Sequence, residues 1–191
     1  MIYMLGIAAI VLIVFLASQG RSSADPLPLP SGSSFHEEAL NAAQSQLGVN
    51  ETSDPEKISE YLRACGWTGP NTAWCAAFVS WVYQQPAKKA YLCGATVTSI
   101  IAYASKAGGW KRITSPGDLD RALPGSFYAI DQTGDGVPDH CGIIESWDGS
   151  TLVCIDGNYS DSVERVYRRQ TLSKIVGFST ITGPSGLPCG G

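Results

Sequence analysis

The chain is predicted to adopt an α+β fold, with N-terminal helices packed on an antiparallel β-sheet. Two observations predict it. Up to residue 107 the apolar residues recur at helical spacing between helix start and stop signals. From residue 126 onward they form short β-rich runs separated by turns containing Gly and Asp. Helices followed by strands, instead of alternating with them, argue against a doubly wound parallel sheet. With 191 residues, 44% of them hydrophobic, and no visible internal repeat, the chain suits one globular domain with short appendages.

Each element has a local reason. Ser34-Phe-His-Glu37 reads as a capping box opening a helix that ends near Gly48, and His36, close to that cap, reads as a solvated residue. Asp54-Pro55-Glu56 opens a second helix that stops at Cys65-Gly66. Pro70, Asn71 and Thr72 announce a third, in which Trp74, Ala77, Phe78, Trp81 and Val82 form one packed face. A fourth runs from Thr96 to Ala107. Strands follow at Ser126–Ile130, in two runs at 138–147 and 151–158 joined by a Gly-containing turn, and at Val163–Arg168 and Val176–Ile181.

Cys75 falls in the first turn of the third helix. Unpaired backbone N–H groups and the positive end of the helix dipole favour an anion there, which lowers a thiol's pKa. Taken alone, the segment reads equally well as a buried structural cysteine. The chain has only two histidines, His36 and His140, so a Cys–His pair has few candidates. His140 opens the first strand of the hairpin. A two-residue loop, Asp148-Gly149, would put His140 opposite Gly157 with Asp156 on the other face. A three-residue loop through Ser150 would pair Trp147 with Thr151, so that His140, Asp156 and Asn158 share one face. The second register yields a thiol nucleophile, an imidazole base and a polar orienter, the logic of a thiol hydrolase.

Further segments stand beside these: Ser45-Gln-Leu-Gly-Val-Asn-Glu51, Glu60-Tyr-Leu-Arg63, Trp74-Cys-Ala-Ala-Phe-Val-Ser-Trp81, Leu123-Pro-Gly-Ser126, Asp139-His-Cys-Gly-Ile-Ile144 and Ile155-Asp-Gly-Asn158. Together they resemble the CHAP domain, the cysteine, histidine-dependent amidohydrolase/peptidase of the NlpC/P60 superfamily. The resemblance spans residues 35–182 and implies a papain-like fold and cleavage of an amide bond in peptidoglycan, as an N-acetylmuramoyl-L-alanine amidase or an endopeptidase. It implies Cys75 as nucleophile, His140 as base, and Asp156 and Asn158 as the residues completing the site, with no required cofactor. Two positions depart from the family pattern. Asp156 stands where Glu is commoner, which moves the orientation of His140 toward Asn158. Cys141 stands where an aliphatic residue is usual.

Residues 1–17 carry no charge and are dominated by Ile, Val, Leu, Ala and Phe. Residues 1–20 therefore read as a transmembrane anchor or as a signal peptide cleaved after Ala24, followed by a Pro/Ser-rich linker at 21–34. Both readings put the domain outside the cytoplasm, facing the cell wall or periplasm or on a virion membrane. Residues 183–191 read as a Gly/Pro tail. The formal net charge of −4 provides no basic field for nucleic acid.

With Cys75 free, the other five of the six cysteines allow two disulfides, Cys65 with Cys93 being the favoured pair. Asp131, Thr133, Asp135 and Asp139, with Gly136 between them, match the first half of a calcium loop. Its last ligand position holds Gly142 instead of Glu, so a plain Asp/Gly turn is the competing reading. Peptidoglycan is the expected substrate, and virion or envelope proteins are the expected partners. A membrane-attached cysteine protease of envelope proteins and a structural membrane protein with an idle site are the alternatives.

Overall fold

Among the described residues four α-helices lead into one six-stranded sheet. The computed structural model describes residues 33–67, 73–88, 92 and 94–183. The N-terminal apolar segment, most of the linker, the C-terminal tail, Cys93 and Cys189 lie outside the described residues. Among those described, no helix is long and apolar enough to cross a membrane.

The helices are α1 (Ser33–Gln44), α2 (Pro55–Ala64), α3 (Cys75–Ala87) and α4 (Val97–Lys106). Pro55 opens α2 because its fixed φ suits a first turn. The preceding Asp54 does not cap the helix; its carboxylate accepts from Asn50 N (3.1 Å) and Ser53 Oγ (2.6 Å). Thr96 does cap α4, through a reciprocal pair of 3.2 Å bonds with Ser99. The sequence pattern gave α3 one buried face, yet every residue from Cys75 to Tyr83 is buried. This helix is the centre of the domain, packed by α1 and α2 on one side and by the sheet on the other. The Tyr61 ring of α2 fixes its outer side, 5.5 Å from Phe78 and 5.2 Å from Trp81. On the sheet side the Tyr83 hydroxyl accepts from Phe127 N (2.9 Å) and donates to Gly125 O (3.1 Å).

The strands are β1 (Trp110–Arg112), β2 (Phe127–Ile130), β3 (His140–Trp147), β4 (Leu152–Tyr159), β5 (Ser162–Arg168) and β6 (Ile175–Ser179), in the spatial order β1-β6-β2-β3-β4-β5. All pairs are antiparallel. The predicted α+β class therefore holds. β2 to β5 form a meander, while β6 returns to the other side of β2. At three residues β1 is too short to show a period in sequence, and it was not predicted.

The β3–β4 register differs at the turn and agrees near the site. Trp147 pairs with Leu152, so the loop has four residues instead of three. Asp148 closes it by accepting from the N–H groups of Ser150 (2.8 Å) and Thr151 (2.7 Å). A bulge at Glu145 then shifts the ladder, and Ile143 pairs with Ile155. That is the register the three-residue loop predicted, restored by the extra bulge residue. Glu145 itself is taken up by Arg165, whose Nη2 donates to Oε1 (2.9 Å) and whose Nε donates to Oε2 (2.5 Å).

Two expectations are overturned. His36 is 1% exposed, not solvated: the chain after β6 folds over α1, and His36 Nε2 donates to Ile181 O (2.8 Å). Its Nδ1 is buried without a partner, and burial pulls its pKa down from 6.5. The ring is thus held neutral when folded and takes a proton more readily when unfolded. Stability is expected to rise with pH up to about 6.5 and to fall on acidification below it. Urea midpoints at pH 5 and pH 7 check this; the gap should narrow in His36→Gln.

The second correction concerns the cysteines. Cys65, Cys75, Cys141 and Cys154 are free thiols, so the Cys65–Cys93 bridge is not formed. Cys65 follows the last residue of α2 and turns its Sγ back to donate to Leu62 O (3.1 Å).

Candidate active site

Cys75 begins α3, His140 begins β3, and Asp156 lies near the end of β4; the three side chains meet in one line. They are 4%, 5% and 0% exposed. His140 Nε2 is 3.1 Å from Asp156 Oδ2. Asp156 accepts from the Tyr128 hydroxyl on both oxygens, at 2.9 Å each, and from Arg168 Nη2 at 2.5 Å. A carboxylate surrounded by donors is itself an acceptor, so His140 carries its proton on Nε2 and donates it. Nδ1 is the nitrogen left to serve the Cys75 thiol.

Asp156 reaches His140 despite its shorter side chain because position 142 is glycine. Tyr128 and Gly142 pair across β2 and β3. A Cβ on Gly142 would stand 2.0 Å from Asp156 Oδ1, so its absence leaves the channel through which the carboxylate passes. In the structure the carboxylate contact to His140 is thus made by Asp156. Asn158 sits where the β4–β5 ladder is interrupted, with φ 58°, a left-handed conformation that asparagine tolerates. No hydrogen bond joins its side chain to His140 among the described residues. The Tyr159 ring does approach the imidazole edge-on, with centroids 6.3 Å apart.

The charges of the pair are shifted toward each other. A hydrogen bond from Cys141 lowers the Cys75 pKa; burial raises it, and the bond to His140 with its positive charge lowers it further, leaving it well below the usual thiol range. For His140, burial pulls down, but the hydrogen bonds and charges of Asp156 and Cys75 outweigh it and push the imidazole up to about 9. The Cys75 pKa is thus pulled down and the His140 pKa pushed up, the two directions that favour a thiolate beside an imidazolium. Burial and the neighbouring Cys75 push Cys141 well above the ordinary thiol value, so it stays protonated and serves as a donor. Cys141→Ala, which removes the largest influence lowering the Cys75 pKa, is expected to shift the pH dependence of Cys75 alkylation toward higher pH. Rates of carbamidomethylation followed by mass spectrometry check this.

Sequence reasoning missed Tyr128 and Arg168. A signal for Arg168 was present: Val166 points inward, and period-two alternation puts Arg168 on the same buried face, where a guanidinium needs an anion.

The four candidate metal ligands occupy the loop before β3. Asp131 accepts from Gly134 N (2.6 Å) and Gly136 N (2.9 Å), and Asp139 accepts from Gln132 N and Thr133 N (2.9 Å each). Asp135 accepts from Val137 N (2.9 Å), and the Thr133 hydroxyl lies 3.4 Å from Asp131. These carboxylates brace the turn that delivers His140. Among the described residues no group of three or more His, Cys, Asp or Glu is placed to hold a metal ion.

No family model matches the chain, and no curated protein matches it. Similar solved structures include Ly7917, with 22% identity and a TM-score of 0.48, covering 78% of this chain and 62% of that one. Ly7917 with the hydrolysing product of MDP has 22% identity and a TM-score of 0.46, covering 78% and 63%. PlyC has 14% identity and a TM-score of 0.36, covering 87% and 44%. The chain spans less than two thirds of the length of each.

Proposed function

We propose that this protein is a peptidoglycan hydrolase that cleaves an amide bond with the Cys75 thiolate and His140. The observation carrying this reading is the buried grouping of Cys75, His140 and Asp156, in which Asp156 Oδ2 lies 3.1 Å from His140 Nε2 and the thiol pKa is pulled down. The substrate class rests on the CHAP-like motifs of the sequence. In this mechanism Cys75 Sγ attacks the amide carbonyl, and the His140 imidazolium gives its Nδ1 proton to the leaving amine. The Cys75 backbone N–H, without a partner within the helix, faces the developing oxyanion. Water, losing a proton to His140, then attacks the thioester and frees the carboxylic acid and the thiol. Residues 1–20 would hold the domain at the outer face of a membrane or direct its export.

The test is digestion of purified sacculi from several wall types, with and without added Ca²⁺, followed by mass spectrometry of the soluble products. Glycans freed of intact stems identify an amidase, and trimmed stems identify an endopeptidase. A parallel casein digestion tests the protease alternative. Absence of released wall fragments alongside casein cleavage would overturn the peptidoglycan assignment while keeping the thiol chemistry.

A further inference from the structure

Arg168 is 4% exposed and lies on the face of the sheet away from α3. It pairs with Leu152, at the end of the β4–β5 ladder away from the turn that joins these strands, so its side chain runs back beneath Cys154 to the site. There the guanidinium forks. Nη2 donates to Asp156 Oδ2 (2.5 Å), and Nε donates to the Tyr128 hydroxyl (2.6 Å), which in turn bonds both Asp156 oxygens. Three strands thus contribute to a closed ring of Tyr128, Asp156 and Arg168. Oδ2, the oxygen that Arg168 holds, is also the oxygen that faces His140.

We propose that Arg168, braced by Tyr128, is a positioning residue that acts through Asp156 to aim and charge the His140–Cys75 pair. This assignment rests on the thiol-hydrolase reading. Asp156 has no exposure to solvent, and a dry carboxylate without a countercharge takes up a proton or turns toward another donor. In either case His140 Nε2–H loses its acceptor, and nothing then holds Nδ1 toward Cys75. Arg168 supplies the countercharge from behind, and its planar fork leaves Oδ2 open in the direction of the imidazole. The groups bearing on the pair are Cys75 from α3, Cys141 and Asp139 beside His140, Tyr128 from β2, Cys154 and the Tyr159 ring from β4, and Arg168 from β5. Arg168 is the only one of these with a fixed positive charge.

The experiment compares the full chain with Arg168→Met, Arg168→Lys and Tyr128→Phe by two readouts that need no peptidoglycan. One is the alkylation rate of Cys75 near neutral pH. The other is the His140 ring N–H signal in nitrogen-15 NMR, readily assigned in a chain with two histidines. In Arg168→Met, alkylation is expected to slow by about 10- to 100-fold, the range for partners that orient a chemically active side chain. The slowly exchanging His140 N–H signal should disappear with it. Arg168→Lys should restore part of the rate, and Tyr128→Phe should lower it less than Arg168→Met. A folded Arg168→Met protein with the wild-type alkylation rate and an intact His140 N–H signal overturns the proposal. Should Arg168→Met not fold, wild-type behaviour of both Arg168→Lys and Tyr128→Phe overturns it equally. If alkylation responds as expected while sacculi stay intact, the substrate assignment fails and the positioning role stands.

Discussion

Removing either member of the Cys75–His140 pair is expected to lower bond cleavage by about 10⁴-fold or more, and removing both should cost little beyond removing Cys75 alone. The two groups act as one unit, so their losses do not add. In the proposed mechanism Cys75→Ala deletes the nucleophile. His140→Ala deletes the acid that protonates the leaving amine, together with a hydrogen bond and a charge that help the Cys141 hydrogen bond lower the Cys75 pKa. Cys75→Ser is expected to be as inactive as Cys75→Ala, because a hydroxyl starts too far above the thiol range for this site to ionise it. Rates of product release from sacculi by the three single variants and the double variant check the prediction. The wild-type pH profile carries a second mark of the same pair. In the proposed mechanism the proton donated to the leaving group is that of His140, whose pKa is pushed up to about 9. kcat/KM should therefore be sustained through neutral pH and fall as pH rises through about 9. On the acid side it should fall only where Cys75, held well below the ordinary thiol value, takes up a proton. An alkaline limb near the ordinary imidazole value of about 6.5 would contradict the ion pair.

What the sequence made legible divides along physical lines. The helix start at Cys75 and the strand start at His140 are local patterns, and both were readable. The shared face of His140 and Asp156 was one of two registers that the hairpin loop left open, and it is the one found. The turn between the strands was misjudged because Asp148 caps a four-residue loop, and the bulge at Glu145 that restores the register has no sequence signature of its own. His36 was read as solvated from its place beside a helix cap. Its burial depends on Ile181, a contact between residues far apart in the chain that no local pattern reveals. The expectation that a shorter Asp156 hands orienting work to Asn158 left out the neighbouring strand. Side-chain length was counted along β4 alone, whereas the reach of Asp156 is set by the missing Cβ at Gly142 on the neighbouring strand.

That missing Cβ carries the second large effect. Gly142→Ala removes no functional group, yet it is expected to lower cleavage by about 10²- to 10⁴-fold, the cost of disabling the residue that orients a catalytic histidine. The added carbon would lie 2.0 Å from Asp156 Oδ1 and 2.8 Å from its Cγ. The carboxylate must then turn off its axis to His140, or β3 and β4 must part, because Ile155 O stands 2.9 Å away on the same side. Either movement breaks the Tyr128–Asp156–Arg168 ring, and overpacking at such a site costs about 1–3 kcal/mol of stability. Catalytic and structural losses separate in a double-variant cycle with Asp156→Ala. Shortening Asp156 removes the nearest atoms, so Gly142→Ala should cost less stability in that background and almost no further activity. Gly117→Ala is the control, since its new methyl meets only Ser115 Oγ at 3.9 Å and should leave both quantities unchanged. If Gly142→Ala cleaves sacculi at the wild-type rate, Asp156 does not orient His140, and the site works as a Cys75–His140 dyad.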